Sequence, residues 1–206
     1  MNIRRGGIFL EDKILSITNK IPKLEHNQRF ILGIDGLSRS GKTTLTKKLV
    51  THLQDKNIPV CLFHIDNYIV EKRKRYNTGY EEWFEYYNLQ WDVTRLKGNL
   101  FQQLKHSNEL RLLTYDDGSD THRLEITEIP DTCVIIIEGV FLQRKDWRNY
   151  FDSIIYLESS RENRFARESE ATQRNMEKLQ NRYWKAEDYY LEVETPLAQA
   201  TLVIQN

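Results

Sequence analysis

Apolar residues follow two rhythms along the chain. Phe9, Leu10, Ile14, Leu15, Ile17 and Ile21 recur at helical spacing and stop at Pro22, which predicts a leading helix over 9–21 packed outside the main core. Short continuous apolar runs follow at 30–34, 59–65, 133–137 and 153–157, each the length of a buried strand, and 200–204 reads as an edge strand. Between them, helical periodicity predicts helices over 42–55 and 93–106, the latter with Leu96, Leu100, Phe101 and Leu104 on one face. Residues 109–115 and 121–128 alternate apolar and polar positions around Asp116, Asp117, Gly118, Ser119 and Asp120, the pattern of a β-hairpin. The stretch 161–180 is helical and highly charged, and a second helix over 181–193 ends before Pro196.

Strands that alternate with helices through short connections imply an α/β fold with a mostly parallel sheet, flanked by helices and wound right-handed. The expected organisation is a single domain over 1–206, with an N-terminal helical extension at 1–28, a hairpin appendage at 108–128 and a helical lid at 160–194. A length of 206 residues suits one core of that size.

Charge and cysteine content narrow the class. Thirty basic and thirty acidic residues give a formal net charge of +0, so no whole-protein field draws the chain to nucleic acid or an acidic membrane. The two cysteines, Cys61 and Cys133, lie in apolar strands without zinc-site spacing and read as buried free thiols of a reducing cytoplasm. The N-terminal run Ile8, Phe9, Leu10 is too short for a signal-peptide core or a membrane span. The expectation is a soluble cytoplasmic protein with no nucleic-acid or membrane partner, and the sequence leaves room for a homo-oligomer.

The chemistry gathers at the end of the first strand. Gly36, Leu37, Ser38, Arg39, Ser40, Gly41, Lys42 and Thr43 fit G-x-x-x-x-G-K-[ST], with a strand before and a helix after, as a phosphate cradle of the P-loop NTPase fold requires. Backbone N–H groups from Gly36 to Thr44 would surround the phosphates of ATP, Lys42 would reach the β and γ phosphates, and the Thr43 hydroxyl would ligate Mg²⁺. Asp66 follows the strand at 59–65, so it falls on the same rim as Lys42. It is the candidate base for an acceptor hydroxyl, and Glu138, after the strand at 133–137, is the candidate Mg²⁺ partner through water. Either acid could instead cap a helix or face solvent.

Arg164, Arg167, Arg174 and Lys178 share one face of the helix expected at 161–180 and could close over a triphosphate, with Arg167 and Arg174 as candidate catalytic groups. Glu170, four residues before Arg174, makes a solvated ion-pair face the alternative. Tyr80, Trp83, Phe84, Tyr86, Tyr87 and Trp91 could stack a planar acceptor or be core. The run from Lys72 to Arg75 could grip a phosphorylated acceptor or simply be solvated.

The cradle at 36–44, the segment HIDNY with Asp66 and Tyr68, the hairpin pair Tyr115-Asp116 followed by His122 and Arg123, and IIIEGVF with Glu138 together resemble the uridine kinase family. That group is similar to phosphoribulokinase and bacterial pantothenate kinase within the P-loop kinases. The similarity runs from about Phe30 to the C-terminus and includes Pro196. The resemblance implies an ATP-dependent kinase transferring the γ-phosphate to a hydroxyl of a small metabolite, a nucleoside foremost, with pantothenate, a sugar phosphate or a purely regulatory nucleotide site as alternatives. It implies Asp66 as base and Glu138 as the acid that assists the metal. Tyr115 and His122 would contact the nucleoside beside Tyr68 and Arg123, and Asp92 is the loose counterpart of the acid that holds the ribose hydroxyls.

Overall fold

The computed structural model describes the backbone of residues 4–206 and the side chains from Leu10 onward; Met1 to Ile3 of the expected extension, and the Phe9 side chain of its apolar face, lie outside the described residues. Helix α1 (Arg4–Thr18) precedes strand β1 (Arg29–Asp35), which runs through the cradle into α2 (Lys42–Asp55) and β2 (Val60–His64). After the hairpin of β3 (Glu109–Asp116) and β4 (Thr121–Glu128) come β5 (Cys133–Gly139), β6 (Ser153–Glu158) and, at the far end, β7 (Leu202–Gln205). Five strands form one parallel sheet in the order β2-β5-β1-β6-β7, and the hairpin stands apart as a two-stranded antiparallel unit.

The apolar strand runs explain this layering. Every residue of β1 and of β5 is buried, so successive side chains feed opposite faces of the sheet. Phe30, Leu32, Ile34, Val134 and Ile136 pack against Ile14 and Ile17 of α1 and Leu45, Leu49 and Leu53 of α2. Ile31, Ile135 and Ile137 face the other way, into a core rich in Tyr87, Trp91, Phe101, Phe141, Trp147 and Tyr190. Burying each large aliphatic side chain contributes roughly 1.5–3 kcal/mol. Among the described residues, no helix is long and apolar enough to cross a membrane.

Three expected elements differ beyond their end residues. The helix over 93–106 is α-helical only over Val93–Leu96 and widens over Lys97–Phe101 before giving way to turns. The strand over 59–65 stops at His64, and Ile65–Tyr68 forms a 3₁₀ turn, so Asp66 sits on a turn above the sheet edge. The helix over 161–180 is broken into α6 (Arg161–Ala166), α7 (Glu170–Gln173) and α8 (Met176–Lys178), followed by a wide turn (Leu179–Trp184) that leads into α9 (Lys185–Glu194). The cause is local. Ser160, Ser169 and Asn175 each accept a hydrogen bond from the backbone N–H three residues on, and each such cap starts a new helix. The segment therefore does not carry Arg164, Arg167 and Arg174 on one continuous face.

Candidate active site

The parallel register sets two acids, Asp35 and Glu138, at the ends of neighbouring strands. Ile34 pairs with Glu138 and Asp35 with Gly139 across β1 and β5, while His64 of β2 pairs with Glu138. The carboxyl ends of β1, β2 and β5 thus share one rim, where ligands of open α/β sheets bind.

A cleft of about 520 Å³ opens on that rim, within the size range of small-molecule sites. Ser38, Arg39, Gly41, Lys42, Thr43 and Thr44 line it on the cradle side, facing Asp66, Glu138 and Gly139. Gly36 supplies the bend: its φ is +151°, and a Cβ there would lie 2.6 Å from the Leu157 carbonyl oxygen. Gly139 supplies closeness, because a Cβ on it would come within 2.1 Å of Ile65 Cγ2. The bare backbone at Gly139 lets the Ile65–Tyr68 turn settle against β5 and brings Asp66 to the cradle.

The Lys42 ammonium donates to the Leu37 carbonyl at 2.9 Å. Burial pulls its pKa below the usual lysine value, while the charges of Glu138, Asp66, Asp35 and Glu187 act to hold it up. Thr43 Oγ1 donates to Glu138 Oε1 at 3.1 Å, and His64 Nδ1 lies 2.7 Å from the same oxygen. Burial works to raise the Glu138 carboxyl, but His64, Lys42 and Thr43 outweigh it and hold the group below its ordinary value. Glu138 Oε2 is buried without a hydrogen-bond partner. An orphaned carboxylate oxygen beside a hydroxyl suits a hydrated cation. No cluster of three or more His, Cys, Asp or Glu side chains among the described residues could hold a metal alone, so such a cation would need phosphate and water ligands as well.

Asp66 opens to solvent through the mouth of the cleft but is otherwise ringed by protein. That crowding raises its pKa; Lys42 opposes the shift and Glu138 adds to it. The result is a carboxylate more basic than an ordinary aspartate.

Two groups that brace the cradle escaped the sequence reading. Asp35 is fully buried and accepts from the Gly36 N–H at 2.8 Å, from Gln143 Nε2 at 2.9 Å and from the Tyr190 hydroxyl. Glu187 accepts from the Ser38 N–H at 3.0 Å and pairs with Arg164 at 2.8 Å, both side chains buried. An acid closing a buried strand immediately before Gly36 was a readable signal for Asp35. Glu187 lies in a charged helical stretch that offers none.

The lid arginines separate. Arg167 lines the cleft and donates to the Arg39 carbonyl at 3.0 Å. Arg164 stands behind the cradle, on Glu187 and the Ser38 carbonyl. Arg174 is exposed and paired with Glu170 at 3.1 Å, so the solvated ion-pair alternative describes it and the structure does not bring it to the cleft.

Of the expected acceptor residues, Tyr68, Asp92, Tyr115, His122 and Arg123 do not line the cleft. Tyr68 is buried in the core. Asp92 caps α5 (Val93–Leu96) by accepting from the Arg95 N–H at 2.9 Å. Tyr115 donates its hydroxyl to Asp120 at 2.7 Å, His122 Nε2 lies 2.9 Å from the Ile69 carbonyl, and Arg123 is exposed on β4. Aromatic residues line the acceptor side instead. Tyr86 of α4 (Glu82–Asn88) and Tyr183 border the cleft beside Asp66, edge to face with ring centres 5.0 Å apart. Tyr87 and Trp91 pack as core, on Phe141 and Trp147, while Tyr80 is exposed and stacks on the half-buried Phe84.

Comparison with known proteins agrees with this geometry. The profile of the phosphoribulokinase / uridine kinase family matches residues 31–205. A uridine kinase of Staphylococcus aureus is 32% identical over 164 residues, covering 74% of this chain and 75% of the relative. A solved structure described as a possible uridine kinase from Bacillus stearothermophilus superposes with a TM-score of 0.82 at 46% identity, covering 99% of this chain and 100% of that one. The D-glycerate 3-kinase of Cryptococcus neoformans, at 9% identity and a TM-score of 0.53 over 97% of this chain and 87% of its own, shares the fold alone. The chain belongs to the phosphoribulokinase / uridine kinase family and is a phosphotransferase acting on a hydroxyl group.

Proposed function

We propose that the protein is an ATP-dependent kinase that transfers the γ-phosphate to a primary hydroxyl of a nucleoside. The meeting of Lys42, Thr43, Glu138 and Asp66 in one cleft carries this reading, and the relatives named uridine kinase point to the acceptor. In the reaction the Asp66 carboxylate takes the acceptor's O–H proton as that oxygen bonds to the γ-phosphorus. The bond from phosphorus to the β,γ-bridging oxygen then breaks and ADP leaves. The raised basicity of Asp66 suits it to this role. Lys42 exchanges the Leu37 carbonyl for phosphate oxygens, and Arg167 adds positive charge where it builds up on the moving group. A Mg²⁺ held through the Thr43 hydroxyl and the Glu138 carboxylate would neutralise charge between the β and γ phosphates, which the partnerless Glu138 Oε2 supports.

A phosphorylated acceptor finds less support, because three of the four basic residues at 72–75 are already engaged. Lys72 pairs with Asp117, Lys74 with Glu71, and Arg75 is buried with its Nε donating to the Val70 carbonyl. Following ADP release with uridine, cytidine, pantothenate and sugar phosphates tests the reading. Turnover with the pyrimidine nucleosides is the expected result, and turnover confined to pantothenate or a sugar phosphate overturns it.

A further inference from the structure

The hairpin leaves one edge and one face uncovered. Its register is continuous from Glu109 opposite Glu128 to Asp116 opposite Thr121, and β4, THRLEITE, carries none of the bulges, prolines or lysines that commonly blunt an exposed edge. The Ile129 N–H donates to the Asn108 carbonyl at 2.8 Å, and antiparallel ladder bonds alternate, so Thr127, Glu125 and Arg123 are the residues of β4 that bond to β3. His122, Leu124 and Ile126 therefore turn their N–H and C=O groups outward, where no strand lies beside them among the described residues. On the face that carries Leu124, the side chains of Leu113, Leu124 and Ile126 are 41%, 57% and 51% exposed. On the other face Arg123 and Glu125 are exposed, and neither belongs to an ion pair among the described residues.

We propose that a second copy of this chain pairs with that edge, β4 against β4 in antiparallel alignment, so that the protein is a two-fold dimer with a four-stranded sheet across its centre. The residues of the strand select one register. With the axis at Leu124, Leu124 lies opposite its symmetry mate and His122 opposite Ile126, all of them positions whose backbone groups point outward and can close the ladder. Arg123 then lies opposite Glu125 of the other copy, twice by symmetry, so charges that lack a counter-ion within one chain gain one between two. A slip of two residues either way sets Arg123 opposite Arg123 or Glu125 opposite Glu125, and a slip of one mismatches the hydrogen-bonding groups. The outer apolar face becomes continuous, with Leu113 and Leu124 meeting Leu124 and Leu113 of the second copy. The ladder ends before Glu128, whose carbonyl already accepts from Cys61 Sγ at 3.8 Å.

Sedimentation of the protein at concentrations up to about 100 µM tests it. The expected result is a concentration-dependent equilibrium between monomer and dimer. Arg123→Glu alone, or Glu125→Arg alone, weakens dimerisation at least about tenfold, because two attractive pairs become two repulsive ones. Combining Arg123→Glu with Glu125→Arg restores it, since opposite charges face each other again. The wild-type measurement needs no variant to fold, and its readout is association, so it stands apart from the nucleoside reading. A monomer at every concentration overturns the inference and leaves the edge to a partner other than this chain. A dimer indifferent to the single reversals, or one that the double reversal fails to restore, places the interface elsewhere and overturns it equally.

Discussion

The Ser38 backbone N–H donates to the Glu187 carboxylate at 3.0 Å, so a helix 149 positions further along the chain grips the phosphate cradle directly. The same carboxylate holds Arg164, and three residues on, Tyr190 of that helix donates to Asp35, which holds the Gly36 N–H. Glu187→Ala leaves the Arg164 guanidinium buried without a counter-charge and should cost about 3–5 kcal/mol. The pair replacement Arg164→Met with Glu187→Leu should recover most of that loss. Chemical denaturation of the two variants and the wild type checks both statements.

Asp66→Asn should lower turnover at least about a hundredfold, the lower end for loss of a general base, while ATP binding stays close to wild type. Crowding lifts the Asp66 pKa above the ordinary value near 3.8. Activity therefore falls as pH drops through that raised value, since the base must be ionised to accept the proton. A pH–rate profile of kcat/KM should show this acid limb, and Asp66→Asn should lack it.

Glu138 titrates the other way. Its folded carboxyl lies below the ordinary value near 4.5, so its contribution to stability is whole above that value and is lost as pH falls through the lower folded one. Glu138→Gln should flatten the dependence of unfolding free energy on pH as pH falls below the ordinary value near 4.5. Urea titrations across that window provide the measurement.

A methyl group at position 139 meets Ile65 head on, at 2.1 Å from its Cγ2. Gly139→Ala should destabilise the protein by about 1–3 kcal/mol through overpacking and displace the turn that carries Asp66. Turnover should fall more than ATP affinity. Adding Ile65→Ala makes room, and a double-mutant cycle on kcat should show positive coupling. Independent, additive effects would rule this contact out as the reason for a glycine.

The arginines separate by placement. Arg167→Ala should reduce kcat by removing a charge from the cleft wall, whereas Arg174→Ala should leave turnover unchanged and stability within about 0.5 kcal/mol, as for an exposed ion pair.

Much of this was legible in the residues. Strand runs such as the one ending at Ile34, the spacing from Gly36 to Thr43, and acids following apolar segments at Asp66 and Glu138 are local patterns, and local patterns survive without tertiary knowledge. The lid was misjudged because Ser169 and Asn175 sit among strong helix formers, and a cap interrupts a helix only when its side chain turns back on the backbone. Tyr86 shares its periodicity with core neighbours, and only packing against Phe141 and Tyr183 shows that its ring edges the cleft. Glu187 acts through a partner far away in sequence, a relation no window of the chain contains.

The strand order has a metric consequence. Lys42 follows β1 and Asp66 follows β2, and β5 alone lies between them. Neighbouring strands are about 4.8 Å apart, so the two outer tips stand about 10 Å from each other. In the proposed reaction that gap would be shared by one phosphoryl group and one alcohol oxygen. The sheet acts as a ruler for the chemistry, and side chains facing the mouth can change with the alcohol while that measure stays constant.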